Sequence, residues 1–320
     1  MGEVSILMPL VPMRSEQMLP YAALVQWTSA ARLWQGHSPL IDTLDSFTQT
    51  AGAGFRVPAG IGVTLMPYRH PLQAALQFRS LALATGHPVV AGFSPGEPQI
   101  QRAMLGRPYD SPLRATREYV STVRRLMAGE HVRLDGSYVR CDMSLYPLPH
   151  PGVEVGVGVL RPRMARLAGE IADTAITWLT PARYLREELT PRLREGAAEA
   201  GRPVPRVVAV VPMCVEQPDR PPLQVAMAGS GSHLRGPHYL DMLRCAGVTV
   251  HPEDPTKTAE GVIDAGAFLV GDPAGLAERI ADFHDAGVDE VVINLTGVHQ
   301  VSGTAATVSE FETIIKETEQ

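Results

Sequence analysis

Two side chains are placed to move a proton. His37 follows directly on the β-rich run Arg32-Leu33-Trp34-Gln35-Gly36, and Glu97 closes the loop Gly92-Phe93-Ser94-Pro95-Gly96-Glu97. Histidine titrates near neutral pH, and a carboxyl group becomes a general acid where an apolar pocket raises its pKa. A third feature concerns anions. Gly156-Val157-Gly158-Val159 ends another β-rich run and is followed by Leu160-Arg161-Pro162-Arg163 and a helical pattern. Backbone N–H groups converge at such a place and the helix dipole favours a phosphate. Gly60 and Gly62, inside the run Gly60-Ile61-Gly62-Val63-Thr64-Leu65, mark a bulge or a close approach by a ligand. Each feature has a plainer alternative: a polar loop histidine, a surface cluster at Arg69-His70, a tight turn beside a solvated arginine. GxGxxG, Walker A, HExxH, CxxC and GxSxG are all absent, so neither a metal nor a covalent nucleophile has a motif. A phosphate cradle with few titratable groups points to a cofactor that brings its own reactivity.

These residues need a frame that gathers strand ends. Eight β-rich runs alternate with helical patterns, beginning at Val4, Arg32, Gly60, Val89, Val153, Thr174, Arg206 and Glu290. Helices are predicted over residues 16–31 (Leu24, Trp27 and Ala31 on one side), over 41–51, from Pro71 onward, and over 273–286 with Gly287 as the stop. This pattern, with no Gly/Ser linker, predicts one (β/α)8 TIM barrel of the α/β class over residues 1–320, whose chemistry lies where strands end and βα loops begin. Two segments break the alternation. Residues 131–151 read as a hairpin insertion. Residues 216–267, rich in Pro, Gly and His with one helical patch near His238–Cys245, read as a lid. Trp27, Trp34 and the methionines are expected in the core.

Composition removes several classes. Of 320 residues, 28 are Lys or Arg and 34 are Asp or Glu, a formal net charge of −6. That balance argues against a nucleic-acid partner. No apolar run approaches the ~20 residues that cross a bilayer, so no membrane partner is expected. Met1-Gly2-Glu3 shows no signal peptide, and three scattered cysteines, Cys141, Cys214 and Cys245, fit neither a disulfide framework nor a zinc site. A cytoplasmic location is expected.

Longer stretches are also familiar. Gly62-Val63-Thr64-Leu65-Met66-Pro67-Tyr68-Arg69-His70-Pro71 with Val90-Ala91-Gly92 resembles the third and fourth units of the luciferase-like monooxygenase superfamily. Val155-Gly156-Val157-Gly158, with Met164-Ala165-Arg166-Leu167-Ala168-Gly169-Glu170-Ile171-Ala172-Asp173, resembles its fifth and sixth units. Val270-Gly271-Asp272-Pro273 and Ala286-Gly287-Val288-Asp289-Glu290-Val291 resemble its closing units. The chain is most similar to the reductases that use the deazaflavin coenzyme F420, some of which serve natural-product pathways.

The resemblance implies a barrel holding the deazaflavin at its C-terminal mouth. A non-prolyl cis peptide would map to Gly62-Val63, with Thr64, Gly92, Phe93 and Ser94 beside the ring. The phosphate-bearing tail would lie on Gly156, Val157, Gly158 and Val159, with Thr177 and Trp178 lining the site. The family histidine after the second strand maps to His37, or with an offset of one to Ser38, because the chain reads Gly36-His37-Ser38 where the family has an acidic residue before histidine. The family carboxylate maps to Glu97. Tyr68, His233, His238 and Tyr239 are the expected substrate contacts. The implied reaction is hydride transfer from reduced F420 to an activated C=C or C=N bond of a small molecule or peptide, a dehydroamino acid being one option. An FMN-dependent monooxygenase and a non-catalytic flavin- or partner-binding barrel are the alternatives. A homodimer is common in the resembled family.

Overall fold

The computed structural model describes residues 2–319. In chain order the strands are β1 (Glu3–Leu7), β2 (Leu33–Gln35), β3 (Ala59–Leu65), β4 (Val89–Ser94), β5 (Val132–Asp135), β6 (Arg140–Met143), β7 (Val153–Gly158), β8 (Thr174–Trp178), β9 (Arg206–Val215), β10 (Leu269–Gly271) and β11 (Glu290–Asn294). Eight are parallel and form a ring, β1-β2-β3-β4-β7-β8-β9-β11, closed by β11 pairing with β1. Helices cover the outside, giving the (β/α)8 barrel that the alternation predicts. The β5–β6 pair is an antiparallel hairpin between β4 and β7.

The helices depart from the sequence expectation at their ends. The first is a 3-10 turn, Ser15–Met18, running into a helix over Leu19–Trp27. Trp27 is 72% exposed at its end, edge-on to Phe55, not in the core. Between β9 and β10 the chain forms three helices, Pro222–Ser230, Pro237–Cys245 and Pro255–Asp264, where one patch was expected. Each opens on a proline, whose missing N–H costs nothing in a first turn. That signal outweighs the Pro- and Gly-rich composition that reads as loop. β10, three residues paired to the upper end of β9, was not foreseen.

The barrel interior explains most strand glycines. Leu7, Trp34, Val90, Ile176, Val208, Val210 and Val292 pack inside the ring. A Cβ added at Gly60 would lie 2.3 Å from the Trp34 ring, and one at Gly62 would lie 3.2 Å from it. A Cβ at Gly92 would lie 2.3 Å from the Ile61 carbonyl oxygen and 2.5 Å from Ile176, and one at Gly156 would lie 3.0 Å from Ile176. The missing side chains at Gly60, Gly62, Gly92 and Gly156 make room for Trp34 and Ile176 rather than for a ligand. Gly158, one layer higher, differs: its nearest neighbour would be Val63 at 3.4 Å, an ordinary contact. The Gly62–Val63 peptide is cis.

Candidate active site

The mouth of the barrel has two halves. On the first, the loops after β2 and β3 form a cavity of about 280 Å³ lined by His37, Ser38, Leu40, Asp42, Thr64, Tyr68 and Arg69, among others. The His37 ring meets Tyr68 edge-on, with centroids 4.6 Å apart. Burial, then the Arg69 guanidinium, holds the imidazole below its ordinary pKa of 6.5, while Asp42 works against them. Ser38 acts differently, since its hydroxyl accepts from Leu40 N–H at 3.0 Å and fixes the turn. Of the two residues that could occupy the family histidine place, His37 is the one with a free ring at the cavity.

Arg69 is tied down on both sides. It donates to Thr64 Oγ1 at 2.9 Å and forms an ion pair with Asp42. Asp42 is also the N-cap of the helix Thr43–Gly52, accepting from Leu44 N–H at 3.0 Å. The sequence reading missed Asp42, although an Asp two residues ahead of Leu44 carries an N-cap signature. It placed Arg69 in a surface cluster, whereas the side chain, 12% exposed, forms part of the cavity wall. His70 caps the next helix and meets the Arg140 carbonyl at 2.8 Å.

The second half is roofed. Trp178 ends β8, and the following Leu179 has φ 55°, a left-handed conformation rare outside glycine. The His233 ring stacks on Trp178 at 5.2 Å and 29°, and Tyr239 packs edge-on against His233 at 5.0 Å. Burial, then His238, lowers the His233 pKa to about 4, so this imidazole is neutral. Burial, then Glu97, pushes the Tyr239 phenol well up. The helix Pro237–Cys245 is clasped at two points: His238 lies 3.7 Å from Glu97, and Asp241 lies 2.8 Å from Arg161. Of the four expected substrate contacts, Tyr68 stands in the open half and His233, His238 and Tyr239 stand together in the roof.

Several expected contacts are corrected by strand alternation, which sends neighbouring side chains to opposite faces. Phe93 is fully buried on the helical side, against Phe78 at 5.5 Å and Tyr119 at 5.3 Å. Thr177 lies between the inward Ile176 and Trp178, is buried, and donates to the Val208 carbonyl at 3.4 Å. Val157 and Val159 are buried in the outer core. Their amides are not spare either: Gly156, Val157 and Gly158 pair with β8, and Val159 N–H donates to the Ile176 carbonyl at 2.7 Å. The free donors begin four residues further on, where no side chain caps the first turn of the helix Pro162–Ile171. Glu97 is corrected as well. Its carboxylate is 52% exposed and faces the roof, not an apolar pocket. Gln101, buried and unforeseen, holds that loop by donating to the Pro95 and Gly96 carbonyls.

Ser94 accepts from Gly96 N–H at 3.3 Å at the rim. The mouth also holds buried polar atoms with no partner among the described residues: Trp178 Nε1, His233 Nδ1 and, at the end of β11, Asn294 Nδ2. Asn294 Oδ1 accepts from Thr296 N–H at 3.0 Å, which fixes the amide with its NH2 group unengaged. Among the described residues no group of three or more His, Cys, Asp or Glu is placed to hold a metal ion, and no helix is long and apolar enough to cross a membrane.

The chain is 27% identical over 183 residues to 5,10-methylenetetrahydromethanopterin reductase from Methanolobus tindarius, covering 57% of this chain and 56% of that one. It is 34% identical over 173 residues to F420-dependent glucose-6-phosphate dehydrogenase from Beutenbergia cavernae, covering 52% and 51%. The chain thus spans about half the length of each of these curated relatives. Its fold is that of the coenzyme F420 dependent tetrahydromethanopterin reductase from Methanopyrus kandleri, with TM-score 0.73, 20% identity and 99% of both chains covered. The luciferase-like monooxygenase profile matches residues 27–290. That match runs from the end of the helix before β2 to the first residue of β11, and the chain belongs to the luciferase-like monooxygenase family.

Proposed function

We propose that this chain is an F420-dependent oxidoreductase that reduces an activated C=C or C=N bond. The observation carrying the reading is the pair of unpartnered N–H donors at the mouth, Trp178 Nε1 and Asn294 Nδ2. A buried donor left without an acceptor costs about 1–3 kcal/mol, which a ligand that accepts hydrogen bonds returns. A deazaflavin ring has carbonyl oxygens along one edge, so the residues present fit it. Gly158, with no side chain and only ordinary contacts around it, leaves backbone open beneath such a ring. The curated relatives named for F420 support the choice of cofactor.

Val63, Thr64, Ser94, Gly158, Trp178 and Asn294 would hold the ring. The uncapped first turn of the helix Pro162–Ile171, with Arg161 at its N-cap, would hold the anionic tail. When bound, the coenzyme supplies a hydride to an electrophilic carbon. The protein holds donor and acceptor in line and keeps water out. His37 gives the proton: its ring lines the open cavity, and its lowered pKa makes the imidazolium a strong acid when formed. Glu97, paired with His238, serves the roof and not the proton transfer. His233 and the helix Pro237–Cys245 act as the lid, while the helix Pro222–Ser230 packs on the final helix.

The test is anaerobic titration of the protein with F420 and with FMN, followed by mixing reduced F420 with enone and imine acceptors. Tight F420 binding and bleaching of its absorbance on turnover are expected. FMN retention with oxygen consumption would overturn the reading in favour of a monooxygenase, and binding without turnover would favour a non-catalytic barrel.

A further inference from the structure

The first half of the mouth has a charge and surface pattern that the choice of cofactor does not explain. Among the described residues lining its cavity, Arg69 is the one arginine or lysine, and it is already paired with Asp42 and bound to Thr64. Asp42 cannot swing away cheaply, because its other oxygen caps a helix. An anionic acceptor entering here would find no unpaired arginine or lysine and would face the Asp42 carboxylate. Separating Asp42 from Arg69 would leave the mostly covered guanidinium, 12% exposed, without its partner, which costs free energy.

The rim above the cavity is apolar. At the cavity itself the segments after β2 and β3 carry exposed apolar side chains, Leu40 (65%) and Tyr68 (37%). Isolated exposed apolar residues need no explanation, but Leu40 and Tyr68 are exposed on adjacent segments lining one cavity, which marks a binding surface.

We infer that the acceptor is an uncharged, largely apolar molecule, seated on Leu40 and Tyr68 with its reacting bond at His37. This inference rests on the assignment of the open half to substrate. It sets the chain apart from a site for a phosphosugar, which needs a free cation.

The test is calorimetric binding of a matched pair to the full chain: benzylideneacetone and its ring 4-carboxylate, which share the enone and differ by one remote charge. The neutral ketone should bind roughly 10-fold or more tightly than the carboxylate, as a like-charge encounter demands. Asp42→Asn keeps the helix cap, since Asn caps as well as Asp, and frees Arg69, so the gap should close. Arg69→Gln leaves Asp42 alone, so the gap should widen. Misfolding cannot move the two variants in opposite directions. Equal or tighter binding of the carboxylate to the wild-type chain, or a gap indifferent to both variants, overturns the inference. Because binding is read without coenzyme, a failed F420 titration would remove the cofactor assignment while leaving a neutral-ligand preference standing.

Discussion

The two ends of this barrel bury polar groups in opposite ways. At the base, Glu290 is fully buried and both of its oxygens are taken: Oε1 accepts from Ser5 Oγ at 2.6 Å, Trp34 Nε1 at 2.6 Å and Arg32 Nε at 3.3 Å, and Oε2 from Arg206 at 3.1 Å. Arg206 reaches on to Glu154 and Glu3. At the mouth, Trp178 Nε1, His233 Nδ1 and Asn294 Nδ2 are buried without partners. The two tryptophans make the contrast sharp, because each lies inside the ring with an indole N–H and only Trp34 has an acceptor. At the base both carboxylate oxygens of Glu290 are engaged and hold strands together, although Arg32 Nη1 beside them has no partner among the described residues, whereas unpartnered N–H groups at an open mouth are stability set aside for a ligand.

The largest effect expected lies at the base. Glu290→Ala strands Arg32 and the Trp34 N–H, while Arg206 keeps Glu154 and Glu3, and should cost about 3–5 kcal/mol in denaturant unfolding. A loss below ~1 kcal/mol would mean that the base does not fasten the strands together. Next come two glycine substitutions of like chemistry. Gly92→Ala forces a methyl against Ile61 and Ile176 and should cost about 1–3 kcal/mol. Gly158→Ala should leave the melting temperature within a degree or so and weaken coenzyme binding instead. Equal thermal effects would erase the distinction between glycines that serve packing and those that serve the site.

Trp178→Phe removes the unpartnered N–H but keeps a ring under His233. Stability should hold or rise slightly, while the coenzyme Kd rises about tenfold, the worth of one hydrogen bond of roughly 1.4 kcal/mol. A stability loss comparable to that at Glu290 would show that the N–H has a structural acceptor. The smallest effect is on pH. In the proposed reaction the His37 imidazolium gives the proton, and burial and Arg69 make that form scarcer at neutral pH. The kcat/KM for reduction should therefore climb as pH falls below 6.5. In Arg69→Gln the same limb should move to higher pH, since a cation beside the imidazole is gone and Asp42 remains. A profile flat across this range would remove His37 as proton donor.

Much of the fold was legible because strand and helix leave periodic marks. All eight barrel strands stand where β-rich runs alternate with helical patterns, and Gly287 follows the predicted helix stop. Residues 216–267 were harder, because Pro, Gly and His suggest loop until each proline is read as a helix start. The site was legible in part. His37 and Tyr68 meet, and Trp178 faces the mouth, as strand-end position suggests. Phe93 and Thr177 were misplaced because proximity to a strand end was weighed without the two-residue alternation that sends them outward. Gln101, Asn294 and the Asp42–Arg69 pair carry no motif.

The sequence by itself determined the order of elements, the closed ring and the loops that carry the site, because hydrophobic periodicity and turn residues act locally. The tertiary structure alone decided which glycines hold Trp34 and Ile176 and which has only ordinary contacts around it. It also decided which arginine is neutralised and which N–H groups lack a partner. Those properties depend on what lies across the ring, up to 285 residues away along the chain in the Ser5–Glu290 pair. Local spacing holds no record of contacts made only when the barrel closes.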